Sequence, residues 1–217
     1  ITSRLVGSEM CIRDSSTIEQ VRLVNQYPID LIGFVTYEKS PRYASVDCIR
    51  QMIDYISGKI STVVLLVNPT RDYVHKIIKT LQPSFLQFHG DETPKFCNQF
   101  DYPYIKAIRV SPDLNIERAI EHFNPKGGFL FDTWHPKKYG GTGGTFDWDV
   151  LPNELKAPKI LAGGLTSTNV GQAIKIARPD VVDVSGGVES LKGIKDERLI
   201  ANFVDSVGSA DMKINKK

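Results

Sequence analysis

Residues 159–187, KILAGGLTSTNVGQAIKIARPDVVDVSGG, contain the unit from which the whole chain is built. Two short apolar runs, Lys159–Ala162 and Val181–Val184, enclose a segment whose apolar residues recur at helical spacing. Short runs of continuous hydrophobicity are typical of strands that are buried on both faces, as in a parallel sheet. The stretch therefore predicts a strand, a helix and a second strand parallel to the first.

Further runs of the same kind stand upstream, and helical segments separate them. They are Leu31–Tyr37, Thr62–Val67, Phe85–Phe88, Ile105–Val110 and Phe129–Phe131. Helix-start signals lie between the runs, including a capping box formed by Ser16 and Glu19. Strands and helices alternating at this spacing predict a (β/α)₈ TIM barrel, whose remaining strand must precede Ser16. An open, doubly wound parallel sheet is the competing architecture, because periodicity does not distinguish the two.

The composition is that of a soluble globular protein with one domain. The 217 residues are 41% hydrophobic and 24% charged, and the formal net charge is only +2, which disfavours nucleic acid as a partner. No apolar run approaches the ~20 residues that a membrane-spanning helix needs, so we expect no membrane partner. Cys11, Cys48 and Cys97 form no CxxC motif and cannot all pair, which predicts a reducing, cytoplasmic location.

Asp132 is the first candidate for catalysis. The active site of a parallel barrel lies at the carboxyl ends of its strands, and Asp132 ends the apolar run Phe129–Phe131. A carboxylate on a buried strand loses hydration, which raises its pKa and suits it to general-acid catalysis near neutral pH. The alternative is an aspartate that caps a helix or anchors a loop.

The last two predicted strands both end in glycines, Gly163-Gly164 and Ser185-Gly186-Gly187. Barrels often bind phosphate at this place, through backbone N–H groups that glycine lets a ligand approach closely. The two turns therefore predict a phosphate site, although two ordinary tight turns would have the same sequence.

Two further side chains have both a functional and a structural interpretation. Arg42 could hold a ligand carboxylate through two parallel hydrogen bonds, or it could be a surface arginine. His89 could donate to a substrate, or it could be a hydrogen-bonded structural residue. No second histidine or cysteine stands at metal-ligand spacing from His89, so we expect no metal site.

Taken together, these segments resemble one family, the phosphoribosylanthranilate isomerases. The resemblance runs in order from about Ser16 to Val207, and the ordered set is far more specific than any one motif. The matching segments are Ile32–Val35, Lys39–Arg42, Leu86–Glu92, Lys106–Val110, Asp132-Thr133, Gly140–Gly143, Thr145–Trp148, Leu161–Leu165, Asp183–Ser185 and Gly187–Glu189.

The resemblance implies a single-domain barrel that catalyses a cofactor-independent Amadori rearrangement in tryptophan biosynthesis. The substrate is a phosphorylated small molecule, and the enzyme is expected to be a monomer or a homodimer. Asp132 would be the general acid that opens the furanose ring, and a cysteine at the end of the first strand would be the base. Arg42 would hold the anthranilate carboxylate, with His89 as a further substrate contact. The phosphate would lie against Gly163, Gly164, Ser185, Gly186 and Gly187, of which Gly186 stands where the family commonly has a serine.

The first fifteen residues depart from the family pattern. Its members open with a strand that ends in Lys-Ile-Cys-Gly-Ile-Thr, and alignment on Glu19 puts the family cysteine on Arg13. Cys11 is the nearest substitute, but it lies two residues early and so ~6–7 Å lower on the strand. Residues 5–14 also resemble translated sequencing-adapter read-through. We therefore expect a non-native segment at 1–15 in place of strand 1, the barrel at 16–207 and a basic tail at 208–217. The alternative is a divergent first strand, Glu9–Arg13, with Cys11 still serving as the base.

Three functional hypotheses remain open at this point. The first is the phosphoribosylanthranilate isomerase, with Asp132 and Cys11 as its catalytic pair. The second is another phosphosugar isomerase or epimerase on the same kind of phosphate-binding barrel. The third is an inactive chain that lacks its base and whose degraded first strand leaves two unpaired strand edges.

Overall fold

The structure, a computed structural model, describes residues 7–136 and 143–214. Residues 1–6 of the expected non-native segment, residues 140–142 of the Gly140–Gly143 segment and residues 215–217 of the expected tail lie outside the described ranges. Eight of its strands form the main sheet. They are β1 (Glu9–Ile12), β2 (Leu31–Val35), β3 (Ser61–Leu66), β4 (Phe85–Phe88), β5 (Tyr104–Val110), β6 (Gly128–Thr133), β7 (Lys159–Leu161) and β8 (Val181–Val184). All seven runs that the sequence marked are among them, with ends that differ by at most two residues.

The eight strands pair in parallel, in chain order, and close into a barrel. At the closing seam β1 pairs with both neighbours, so that Cys11 lies opposite Leu31 of β2 and Asp183 of β8. This confirms the (β/α)₈ TIM barrel and excludes the open sheet. The expectation of two unpaired strand edges is wrong, because residues 9–12 are apolar enough on their outer face to complete the ring.

Helices connect the strands on the outside of the barrel. They are α1 (Ile18–Val24), α2 (Val46–Ile53), α3 (Arg71–Leu81), α4 (Pro94–Asn98), α5 (Ile116–Ile120), α6 (Val170–Ala177) and α7 (Glu197–Ile214). The β6–β7 connection carries the 3₁₀ turn Trp148–Val150 in its described part, and β9 (Glu189–Leu191) pairs antiparallel with β10 (Ile194–Lys195) after β8. Among the described residues, no helix combines the length and the apolar character needed to cross a bilayer.

Two helix ends differ from the sequence expectation. The first cap is Thr17 rather than Ser16, because the Thr17 hydroxyl accepts the backbone N–H of Gln20 while the Gln20 side chain accepts that of Ser16. The last helix continues through residue 214, well into the expected tail. Its Asp211 accepts hydrogen bonds from the backbone and the hydroxyl of Ser8, which ties the start of β1 to the rest of the barrel.

The side chains of each strand alternate between two apolar layers. The outer layer packs against the helices, and the barrel interior holds a separate, smaller cluster that includes Cys11, Leu130, Ile160 and Val181. Because this interior cluster fills the lower part of the barrel, inward-facing residues nearer the carboxyl ends of the strands are the ones that line its mouth.

Candidate active site

A cavity of about 350 Å³ opens at the carboxyl ends of the strands. Carboxylates of β6 and β8, the two glycine turns and two arginines line it. These residues are Asp132, Asp183, Gly163, Gly164, Ser185, Gly186, Gly187, Arg13 and Arg42. The structure thus brings together most of the residues that the sequence marked, at the end of the barrel where they were expected.

Asp132 sits at the mouth with only 2% of its surface exposed. Its Oδ1 accepts the backbone N–H of Thr133 at 2.8 Å. Its Oδ2 lies 3.2 Å from Nε2 of His89 and 3.5 Å from a guanidinium nitrogen of Arg13. The Asp132 carboxylate therefore faces the cavity with a histidine and an arginine nitrogen beside it.

The expected rise in the pKa of Asp132 is wrong in direction. Burial does oppose ionisation, but the proximity of His89 and the charge of Arg13 outweigh it and lower the pKa below its ordinary value. The position of Asp132 at the end of a buried strand predicts desolvation only. The cation beside its carboxyl, Arg13, comes from a distant segment of the chain, so the local sequence does not predict its effect on the pKa.

His89 is fully buried behind Asp132 and does not line the cavity. The side-chain amide of Gln87 lies 2.9 Å from Nδ1 of the ring, with its nitrogen toward it, so Nδ1 accepts and the ring proton lies on Nε2. That proton faces Oδ2 of Asp132. His89 therefore lies 3.2 Å from the Asp132 carboxylate and away from the cavity, so its place does not support the expected contact with substrate.

The glycine turns after β7 and β8 require glycine for steric reasons. Gly163 has a φ of +84°, and a Cβ there would collide with the hydroxyl of Thr133. A Cβ on Gly187 would collide with the carbonyl oxygen of Leu165. The backbone therefore passes through both turns more closely than any other residue would allow, which leaves peptide groups open to the cavity.

Arg42 is buried and held by a carboxylate of the chain itself. Its Nε and one terminal nitrogen donate to the two oxygens of Glu189 at 2.8 and 2.7 Å. Lys195 donates to Glu189 and to the backbone oxygen of Ser185, each at 3.1 Å. Burial raises the pKa of Glu189, but Arg42 and Lys195 overcome this and lower it to about 2. A surface arginine is excluded because Arg42 is buried, and the terminal nitrogen that donates to Glu189 also lies near the cavity wall at Gly186.

Arg13 follows β1 and occupies the centre of this charged layer. Its Nε lies 2.6 Å from Oδ2 of Asp183, and its Nη2 lies 3.5 Å from Oδ2 of Asp132. Burial favours the neutral form, but the charges of Asp183, Asp14 and Asp132 outweigh it and raise the pKa of Arg13 above its ordinary value. A Cβ on Gly33 of β2 would lie 2.6 Å from that of Arg13, so this glycine makes room for the side chain.

Comparisons with known proteins agree with this geometry. The profile of the family described as "PRAI: N-(5'phosphoribosyl)anthranilate (PRA) isomerase" matches residues 11–206. The chain belongs to this family. An N-(5'-phosphoribosyl)anthranilate isomerase of Pseudomonas putida is 43% identical over 205 residues, which are 94% of this chain and 98% of the relative. One of Pseudomonas syringae pv. tomato is 44% identical over 202 residues, covering 93% and 97%.

Solved structures of the family superimpose on the barrel. The phosphoribosylanthranilate isomerase of Thermotoga maritima matches with a TM-score of 0.83 at 31% identity, covering 93% of this chain and 99% of that one. A family structure in complex with reduced 1-(o-carboxyphenylamino)-1-deoxyribulose 5-phosphate matches with a TM-score of 0.81 at 29% identity, with the same coverage.

The catalytic assignment of Cys11 does not agree with its location. Cys11 is part of the apolar interior cluster and does not line the cavity, whereas Arg13 does. Burial first, and then the charge of Asp183, raises the pKa of the thiol well above its ordinary value, so the thiolate is strongly disfavoured. The two-residue offset along β1 keeps Cys11 on the inner face of the barrel but one layer too low.

Sequence reasoning missed four residues that shape this site: Arg13 as an occupant, Asp183 as its partner, and Glu189 with Lys195 as the anchor of Arg42. A signal existed for two of them. Asp183 interrupts an apolar strand as Asp132 does, and Glu189 ends a segment that resembles the family. Nothing in the sequence connects Lys195 to Arg42. Both bind Glu189, and Lys195 reaches Glu189 only because the chain turns between β9 and β10.

Proposed function

We propose that this barrel catalyses the Amadori rearrangement of N-(5-phosphoribosyl)anthranilate to 1-(2-carboxyphenylamino)-1-deoxyribulose 5-phosphate. The observation that carries the proposal is the position of Asp132, a buried carboxyl that shares one cavity with the glycine turns of β7 and β8. A general acid and a phosphate site in one cavity suit a phosphorylated sugar whose ring must be opened. Membership of the family supports the same substrate.

Each residue has a distinct part in the proposed reaction. In a barrel with cysteine at position 13, where the charge of Arg13 no longer lowers the pKa of Asp132, this carboxyl protonates the ring oxygen of the ribose, so that the C–O bond breaks and a Schiff base forms. A base then removes the proton from C2, and the enol that results becomes the ketone of the product. The backbone of Gly163, Gly164, Gly186 and Gly187 would hold the phosphate, together with the hydroxyl of Ser185.

Arg42 would hold the anthranilate carboxylate in this scheme through the donors that Glu189 leaves unused. Both of its donors on one edge already bind Glu189. Its remaining donors are the ones available to a ligand, because a guanidinium carries five N–H groups. Glu189 therefore orients Arg42 and leaves one edge for substrate.

The chain as it stands lacks the base. Arg13 stands where the family cysteine falls, and a guanidinium whose pKa is raised is protonated and does not accept a further proton. Since a positioned acid or base contributes roughly 10²–10⁴-fold, we expect turnover at least about 10³-fold below that of a barrel with the cysteine.

The test uses the Arg13→Cys, Asp14→Gly double variant, called the restored variant below. We expect it to convert the anthranilate substrate to product, as followed by chromatography, and we expect Asp132→Asn in the same background to lose about 10³-fold or more in kcat. Inactivity of the restored variant on this substrate, with turnover of ribulose phosphates instead, would support the second hypothesis, another phosphosugar isomerase or epimerase.

Two finer points belong to the same proposal. A Thermotoga maritima relative is described as dimeric, and we propose a monomer or a homodimer here, which light scattering on the purified chain decides. We also propose that residues 1–15 replaced a segment that carried the Lys-Ile-Cys-Gly strand. An independent read of the 5′ end of the gene that again encodes Arg13-Asp14 would contradict this.

A further inference from the structure

Asp14 contacts Ser185 and Arg42, two residues of the cavity lining, although it does not itself line the cavity and the family pattern has no acid at its position. In the alignment that puts the family cysteine on Arg13, the glycine that follows it falls on Asp14. Asp14 is buried, with 5% of the residue exposed. Its backbone φ of +69° lies in the left-handed region, which glycine occupies freely and aspartate occupies at a cost.

The contacts of the Asp14 carboxylate are those that an anionic ligand would make. The hydroxyl of Ser185 donates to its Oδ2. The same oxygen lies 3.7 Å from Nε of Arg42. Its Oδ1 is buried and has no hydrogen-bond partner among residues 7–136 and 143–214. A carboxylate with one satisfied oxygen, bound to a hydroxyl and beside an arginine, resembles part of a bound phosphate.

The surrounding charges fit the same interpretation. Arg42 and Lys195 supply two positive charges at this end of the cavity, and Glu189 binds both of them. Asp14 adds a further negative charge beside Arg42. Removing this charge would lower the repulsion that a ligand anion meets near Ser185, while Glu189 would still bind Arg42 and Lys195.

We propose that Asp14 is an internal competitor of the ligand, whose carboxylate binds the Ser185 hydroxyl that the phosphate subsite would use. This rests on the proposed function for the place of that subsite. The consequence is a specificity effect: the chain as it stands binds a phosphate group weakly, and neutralising Asp14 restores the binding. The effect is separate from the missing base, because it concerns affinity rather than proton transfer.

The experiment is a titration of ¹⁵N-labelled protein with inorganic phosphate, with the amide signals of Gly186 and Gly187 as the readout. We expect Asp14→Asn, which keeps the shape of the side chain, to lower the Kd at these amides by about tenfold. Asp14→Gly should lower it at least as much, because it also frees the space. Asp180→Asn is the matched control: it changes the net charge equally at the opposite end of β8, and its Kd should equal that of the parent chain.

Each outcome bears on one idea. Equal phosphate binding by the parent and both Asp14 variants, each shown to be folded by its spectrum, would overturn the proposal even if the restored variant turns over substrate. A similar gain in the Asp180→Asn control would also overturn it, since net charge alone would then explain the effect. Tighter binding in the Asp14 variants, alongside a restored variant that is inactive, would support the competitor and reject the isomerase assignment.

Discussion

Replacing Arg13 tests the reasoning about this site most directly, because the side chain both fills the place of the base and pairs with two carboxylates. The guanidinium lies 2.6 Å from Asp183 and 3.5 Å from Asp132. Arg13→Cys in the Asp14→Gly background puts a thiol where a proton must be accepted. Arg13→Ser in the same background is the matched control, since it removes the same charge and has nearly the same size but no comparable base.

The magnitudes separate the two variants. Both lose the same buried ion pairs, so each should have a free energy of unfolding lower by about 3–5 kcal/mol, the range for removing one partner of such a pair. Only the cysteine variant gains the proton acceptor, which is expected to contribute about 10³-fold in kcat, or about 4 kcal/mol of barrier. In both variants the pKa of Asp132 should rise, because one of the causes that lowers it is removed.

The assay is kcat at saturating substrate as a function of pH, with denaturant unfolding of each variant alongside. A serine variant as active as the cysteine variant would refute the reasoning, since relief of a block rather than supply of a base would then account for the gain. Near-normal turnover by the parent chain would refute it more simply, because Arg13 would then not prevent catalysis at all.

Further predictions concern the residues that support the site. In the restored variant, His89→Asn should raise the pKa of Asp132, so the alkaline limb of the kcat profile should move to higher pH; an unmoved limb would show that His89 does not act on this acid. Lys106→Met should lower the free energy of unfolding by about 3–5 kcal/mol in a denaturant titration, because it leaves the buried carboxylate of Glu92 without its ion-pair partner. Arg50→Met, which removes the exposed ion pair with Asp54, should lower it by less than about 0.5 kcal/mol. Because the pKa of Glu189 is lowered to about 2, its ionised form stabilises the fold fully above about pH 4.5, and this contribution is lost as the pH falls toward 2. The free energy of unfolding of Glu189→Gln should therefore depend less on pH in that window than that of the parent chain. An equal pH dependence in both chains would contradict the role of this group.

Much of the barrel follows from the sequence because it depends on local pattern. The runs that became β2 to β8 are apolar on both faces, and only a parallel sheet covered by helices buries both. The positions of Asp132 and the glycine turns follow as well, since the end of a strand in sequence is also its end in space. A first strand over Glu9–Arg13 is only one of two alternatives in the sequence, and the pairing of Glu9–Ile12 with β2 and β8 decides that a strand forms there.

Tertiary structure alone decided the electrostatics of the site. The sequence states that Asp132 ends a buried strand, and desolvation by itself would raise its pKa. The barrel brings His89 from β4 and Arg13 from β1 to the same carboxyl, and these contacts between distant segments reverse the direction. The role of Asp14 likewise depends on Ser185, which is 171 positions away in the chain. Hydrophobic pattern is a property of neighbours in sequence, whereas the charge around a buried group is a property of neighbours in space.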